Sequence, residues 1–215
     1  MKILMLVNWN VKYSNKPIEN EQPMNYVING ESYWFFKYFK NIPEVDVIDT
    51  HSIPAIEKFE KYKLRFYIIQ ALKAIPRMHK YDLVISHGMQ SGVVIALWRR
   101  FFRGRAKHLV FDIGTFNSGA ESGKAMQLMR FASKSIDGLI YHSRWQRQYY
   151  QKYYQWIVDK SFFIPFGIDS SILEETPHID YKGFDKNKPY MLCVGKSRCD
   201  WDTVVKAYEG IDILR

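Results

Sequence analysis

Cysteine is scarce in this sequence: two residues, Cys193 and Cys199, among 215. They form no C-x-x-C pair, so neither a disulfide framework nor a zinc site organises the fold, and a reducing compartment suits the chain. Long apolar runs are also missing. No stretch approaches the ~20 residues that span a bilayer, and the N-terminal ILMLV is too short for a signal-peptide core and lacks a small-residue cleavage site. These absences predict a cytoplasmic protein. Acid is in deficit, with 22 Asp and Glu against 31 Lys and Arg, a formal charge of +9 and a pI near 9.4. Such an excess predicts an anionic partner: nucleotide phosphates, an acidic lipid surface or nucleic acid. Internal repeats and low-complexity tracts are lacking too. What is plentiful is apolar and aromatic, 47% and 16% of residues, which predicts a filled globular core.

Short apolar runs alternate with helical patterns. KILMLVN from Lys2 has the continuous hydrophobicity of a strand buried on both faces. EVDVID from Glu44, YDLVISH from Tyr81, HLVFDIG from His108, GLIYHS from Gly138 and SFFIPFG from Ser161 repeat the theme. Helices are predicted over residues 31–40, 56–79 (broken at Pro76), 92–102, 122–135 and 144–154. Ser143 with Gln146 fits a capping box, and Ser122 is a weaker cap. Strand, helix, strand in this rhythm predicts an α/β fold: a Rossmann-like parallel sheet, covered on both faces, with right-handed crossovers. A long polar loop, residues 11–26, comes after the first strand.

The last stretch begins a second unit. Residues 190–194 read as a strand, Gly195, Lys196 and Arg198 as a glycine turn carrying cations, and the segment after that turn as an amphipathic helix. Backbone amides and positive charge stand there where a phosphate would sit. One strand and one helix cannot close a core, so this reads as the truncated start of a second Rossmann-like domain. The predicted division is residues 1–168 as the first domain, 169–188 as a polar linker and 189–215 as that start.

Ligands of open α/β sheets bind at the carboxyl ends of the strands. Those ends carry Asn8 and Trp9, Asn29-Gly30-Glu31-Ser32, Ser86-His87-Gly88, Asp112-Ile113-Gly114-Thr115 and His142-Ser143. Gly30, before a predicted helix, would let backbone approach a phosphate, or it simply closes a turn. His87 ends an apolar strand before Gly88, so its imidazole faces the crevice, where it could orient a polar substrate or shuttle a proton. A structural histidine is the plain alternative. Asp112 could bond loop amides, and His142 and Ser143 could merely open a helix. No G-x-S-x-G elbow supports a hydrolase.

Two segments interleave cations with aromatics: residues 58–73 and 97–108. They fit an anionic membrane face, with rings at the interface and cations on headgroups. They also fit amphipathic helices that bury their rings and solvate their charges. Nucleic acid is disfavoured, because no RNP motif, KH loop or zinc finger accompanies them.

The order KILMLVNW, GESYWFFKYF, DLVISHG, GLIYHS-x-W-Q, FFIPFGID, VGKSRCDWDTVVKA resembles a GT-B glycosyltransferase of the family 4 type over almost the whole chain. The resemblance implies two Rossmann-like domains facing a cleft, and transfer of a sugar from a nucleotide-sugar donor with retained configuration. It implies no metal and no cofactor. His87 matches a histidine that contacts the transferred sugar, which makes it the implied catalytic residue. Gly30 and Lys196 match donor-binding positions, and Arg198 is a further candidate donor-binding cation beside the family's position. Lys196 stands where the family has an arginine, keeping charge but losing the bidentate fork. In relatives with an R-D-aromatic sequence the arginine falls at Cys199, one position after Arg198. By their places at the strand ends, Asn8, Glu31, Asp112 and His142 are the candidate acceptor or cleft residues. The family's E-x7-E region has no counterpart, and Asp180 and Asp185 do not replace it. The resemblance thus implies a glycosyltransferase, inactive as this piece alone, acting on a glycan or lipid-linked acceptor in polysaccharide biosynthesis. Its setting would be cytoplasmic, peripheral on the inner membrane face. The alternatives are a non-catalytic module binding a nucleotide-sugar or a protein, or a GT-B-like nucleotide-sugar epimerase.

Overall fold

The computed structural model describes residues 1–102, 104–114, 121–167 and 200–208. The chain divides after Gly167 into two compact units. The first is built on eight strands: β1 (Lys2–Leu6), β2 (Lys12–Ser14), β3 (Tyr26–Ile28), β4 (Glu44–Ile48), β5 (Leu83–His87), β6 (Lys107–Asp112), β7 (Gly138–Tyr141) and β8 (Ser161–Phe163). Six of them form one sheet in the order β4-β1-β5-β6-β7-β8. Every pairing is parallel, with Met5 beside Val47 and Ile85, and Phe111 beside His87 and Ile140. The fold is therefore α/β with a Rossmann-like parallel sheet. The six strands predicted from apolar runs all form.

Strand side chains alternate between two faces. On the back face Leu4, Leu6 and Val84 pack with α2 (Ile68–Ala74) and α3 (Met89–Phe101). Val110, Leu139 and Tyr141 continue that face under α3, α4 (Gly123–Ser133) and α5 (Arg144–Tyr153), with the short α6 (Gln155–Val158) beside them. On the front face Ile3, Met5, Val7, Val47, Ile85, Phe111 and Ile140 meet Val27, Tyr33 and Phe36. This is why ILML of β1 is apolar throughout: both of its faces are covered.

The cover is uneven for a topological reason. A parallel crossover is right-handed, so steps in opposite directions along the sheet lie on opposite faces. Only the β1-to-β4 step runs one way, and it carries residues 7–43 across the front. The four other steps put their helices on the back. Consequently the front of β8 and the residues after it are open, with Phe162 60%, Ile164 46% and Phe166 72% exposed. Among the described residues the sheet is covered on both faces from β4 to β7, and its front opens at β8.

Two predicted helices change form. Residues 31–40 make only a 3-10 turn, Trp34–Phe36. Tyr33 and Phe36 are both 2% exposed against the front face. A 3-10 turn eclipses positions i and i+3, which lets both rings enter the core, and a ring-rich decamer gains little from continuing as α-helix. The predicted helix over 56–79 divides into α1 (Pro54–Phe59), a π turn (Glu60–Leu64), α2 and a 3-10 turn (Ile75–Lys80) that contains Pro76. Arg65, at φ 60°, ends the π turn. The long polar loop contains β2 and a 3-10 turn (Pro23–Asn25), and β2 pairs in parallel with β3.

In the second unit α7 (Trp201–Tyr208) forms as predicted, with Asp200 accepting from the Thr203 amide at 3.1 Å. A bond from the Thr203 hydroxyl, together with that one, holds the Asp200 carboxyl below its ordinary value. The predicted strand at 190–194, the glycine turn and the linker lie outside the described residues.

Candidate functional site

In a doubly wound sheet the crevice opens where crossovers diverge, here between the carboxyl ends of β1 and β5. Val7 ends its run against the Ile48 carbonyl, and the chain then leaves the sheet at Asn8 and Trp9. The Trp9 indole donates to the Met24 carbonyl at 2.9 Å, and the Tyr33 hydroxyl donates to the same oxygen at 2.8 Å. These bonds fix the Trp9 ring beside His87, edge-on at 4.7 Å between ring centroids.

His87 closes β5 on the front face. Phe35 meets its edge at 6.2 Å and Phe111 stacks on it at 5.8 Å. Burial first, and then the charge of His142, lower its pKa to about 4. The imidazole is therefore neutral at physiological pH. Its Nδ1 is buried without a hydrogen-bond partner, which leaves Nε2 as the nitrogen open to the crevice.

Gly88 comes next at φ 113°, ψ 152°, a region essentially reserved for glycine. A Cβ there would stand 2.6 Å from Gln90 Oε1 and 3.7 Å from Asn8 Nδ2, so Asn8, Gly88 and Gln90 converge. Gly88 also precedes the first turn of α3, which no side chain caps. Unbonded amides at a helix start favour an anion.

The strip continues along the carboxyl edge. Phe111 stacks on His142 at 6.2 Å, and His142 stacks on Phe166 at 4.2 Å. His142 Nδ1 bonds the Ile164 carbonyl at 2.7 Å. Trp9, His87, Phe111, His142 and Phe166 thus form one row of rings across the ends of five strands. Alternation along the sheet can place Phe111 with His87, since they are paired in register, but only the tertiary structure brings Phe35 and Phe166 to the row.

Other predicted site residues lie elsewhere. Asp112 is fully buried on the back face, away from the crevice. Its carboxylate accepts from the Tyr150 hydroxyl and from Gln146 Nε2 at 3.2 Å. These bonds tie β6 to α5. Gly30, at φ 83°, sits in a turn in which the Glu31 amide donates to the Ile28 carbonyl at 3.1 Å. No α-helix continues from it, so the anion site expected there has no helix start behind it. Glu31 is exposed on the same turn. Lys196 and Arg198 lie outside the described residues.

A second histidine escapes the sequence reading. His108 is completely buried under α3, with Nε2 3.0 Å from Ser86 Oγ. Burial, and then the nearby Arg99 charge, lower its pKa to about 3. This Ser–His pair has no exposure to a substrate, so it supports no nucleophilic chemistry. A separate cleft of about 270 Å³ borders the edge strand β4, lined by Tyr13, Asp49, His51, Lys73 and Arg77 among others.

No protein-family model matches the chain, and no curated protein matches it. Among solved structures it is similar to Anabaena Alr3699/HepE, crystallised in complex with UDP. It is equally similar to a second structure of that protein, in complex with UDP and glucose. In each comparison the identity is 16% and the TM-score 0.44, over 80% of this chain and 46% of the other. The chain therefore spans about half the length of the solved structures it matches. The class of protein defined by its own strand order is a Rossmann-like parallel-sheet protein, with an aromatic and histidine-lined crevice at the switch point.

Proposed function

We propose that the protein serves a retaining glycosyltransferase reaction with a nucleotide-sugar donor and a glycan or lipid-linked acceptor. The observation that supports this best is the meeting, at the switch point, of a neutral imidazole nitrogen, the Asn8 amide and the uncapped start of α3. The motif order of the sequence points the same way.

In this reading the bond between the sugar C1 and the nucleoside diphosphate breaks. A bond from an acceptor hydroxyl oxygen to C1 forms on the same face, and the hydroxyl proton leaves with the departing phosphate oxygen. The amides of α3 stabilise charge on that diphosphate. A ring with a pKa of about 4 is a weak base and carries no acidic imidazolium proton near pH 7. His87 therefore orients a sugar hydroxyl through Nε2 and does not shuttle the proton. No metal or cofactor enters the scheme.

Calorimetric titration with UDP-sugars and GDP-sugars tests the reading and reports the nucleotide. Binding is expected, weakened on the order of 10-fold in His87→Ala, as one lost hydrogen bond to a ligand predicts. No binding of any nucleotide-sugar, or equal affinity in the variant, overturns it. An epimerase would interconvert the sugar with no acceptor added.

A further inference from the structure

The helical stretch over residues 54–64, α1 with its π turn, is built inside out. Its inward positions, at spacing i, i+3, i+7, are Glu57, Glu60 and Leu64, and Glu60 is only 4% exposed. Glu60 is held there because its Oε1 accepts from the Ile69 amide at 2.8 Å, capping α2. The apolar residues point the other way: Phe59 is 55%, Tyr62 64% and Ile56 36% exposed, with Ile53 at 65% just before the helix. α1 itself buries no residue. Lys58, Lys61, Lys63 and Arg65 are all exposed among these rings and chains, and the Lys61 ammonium lies 5.6 Å from the Tyr62 ring.

A soluble helix normally buries its apolar stripe and solvates its charges. This one turns acid inward and presents rings and cations together, the composition of a helix that lies in a lipid interface. Among the described residues no helix is long and apolar enough to cross a membrane. Both ends of the segment are anchored at the carboxyl edge. Asp49, after β4, accepts from the Val11 amide at 3.0 Å, and the Tyr67 amide donates to the Gln90 carbonyl at 3.2 Å, in the first turn of α3. The stretch therefore projects from the rim that carries the His87 crevice. The other basic aromatic segment ends α3 at the opposite edge of the sheet, and Arg99 there is engaged by Asp137 at 2.7 Å.

We infer that residues 53–65 dock on an anionic lipid bilayer, seating Phe59 and Tyr62 at the headgroup level with Lys58, Lys61, Lys63 and Arg65 on lipid phosphates. Charge complementarity chooses this occupant over a second copy of the chain, whose four cations would face these four. The inference stands independently of the glycosyl-transfer reading.

Sedimentation with phosphatidylcholine vesicles, with and without phosphatidylglycerol, tests it at low salt. The chain is expected to bind the anionic vesicles and to release as salt rises. Replacing Lys58, Lys61 and Lys63 together by Gln should weaken partitioning on the order of 100-fold. Phe59→Ser with Tyr62→Ser should weaken it by about 10-fold or more. All five side chains are exposed, so unchanged circular dichroism and thermal midpoints certify the fold. Absence of binding to anionic vesicles, or variants that bind as the parent does, overturns the inference. So does a concentration-dependent dimer, lost in the Phe59/Tyr62 variant, in a chain that ignores vesicles.

Discussion

His87 and Gly88 show how two adjacent residues divide the work of an edge. The histidine completes the apolar front face, and packing by Trp9, Phe35 and Phe111 lowers its affinity for a proton. The glycine then turns the chain into α3 through a backbone conformation at φ 113° that costs an L side chain heavily. Gly88→Ala is expected to destabilise the chain by ~1–3 kcal/mol from backbone strain, before any clash with Gln90. Urea unfolding of the purified variant measures this. A loss within error of zero would mean that the turn relaxes without cost. The DLVISHG motif makes both positions legible, because an apolar strand ending in a polar residue and then glycine marks an edge. The buried state of Nδ1 was not legible. It depends on Trp9 and Phe35, which lie 78 and 52 residues earlier in the sequence.

At the level of elements, Gln146 carries more than its place in a capping box suggests. The box itself forms: Ser143 accepts from the Gln146 amide, and Gln146 Oε1 accepts from the Ser143 amide at 2.8 Å. The same Oε1 accepts from the His142 amide at 2.9 Å, while Nε2 donates to the Asp112 carbonyl at 2.9 Å. One side chain thus joins the ends of β6 and β7 to the start of α5. Gln146→Glu keeps the acceptor but removes the donor and sets a second carboxylate beside buried Asp112. It should cost ~3 kcal/mol or more, far beyond the ~1 kcal/mol of a lost cap. A thermal melt of this variant against Ser143→Ala separates the two effects, and similar losses in both would refute the bridging role. The cap could be read from S-x-x-Q alone. The bridge could not, since Asp112 reaches Gln146 only after the sheet is assembled. Helix 31–40 failed in the opposite sense, its local pattern yielding to the burial of Tyr33 and Phe36.

For the whole molecule, two neutral histidines, His108 fully buried and His87 partly so, draw down stability in acid. The folded pKa of His87 is about 4 and that of His108 about 3, both below the ordinary 6.5. As pH falls below 6.5 the unfolded chain takes up protons that the folded chain refuses, so stability is full above that value and drains away toward pH 4 and 3. Each histidine contributes a slope of up to ~1.4 kcal/mol per pH unit. Unfolding free energies measured from neutral pH downward should show this, and His87→Asn should remove about one proton from the slope. An unchanged slope in that variant would place His87 in contact with solvent in the folded state.

The sequence by itself determined the strands, the parallel α/β class and the Ser143 cap, because each depends on neighbours a few residues away. Apolar runs bounded by glycine and polar residues suffice for that. The tertiary structure alone decided which face each helix covers, that Asp112 lies behind the sheet, and that residues 54–64 show their apolar side to the outside. Those outcomes depend on strand order, crossover hand and contacts between distant segments. A glutamate turned inward to cap α2 left Phe59 and Tyr62 facing out, and no helical period in the sequence announces that choice.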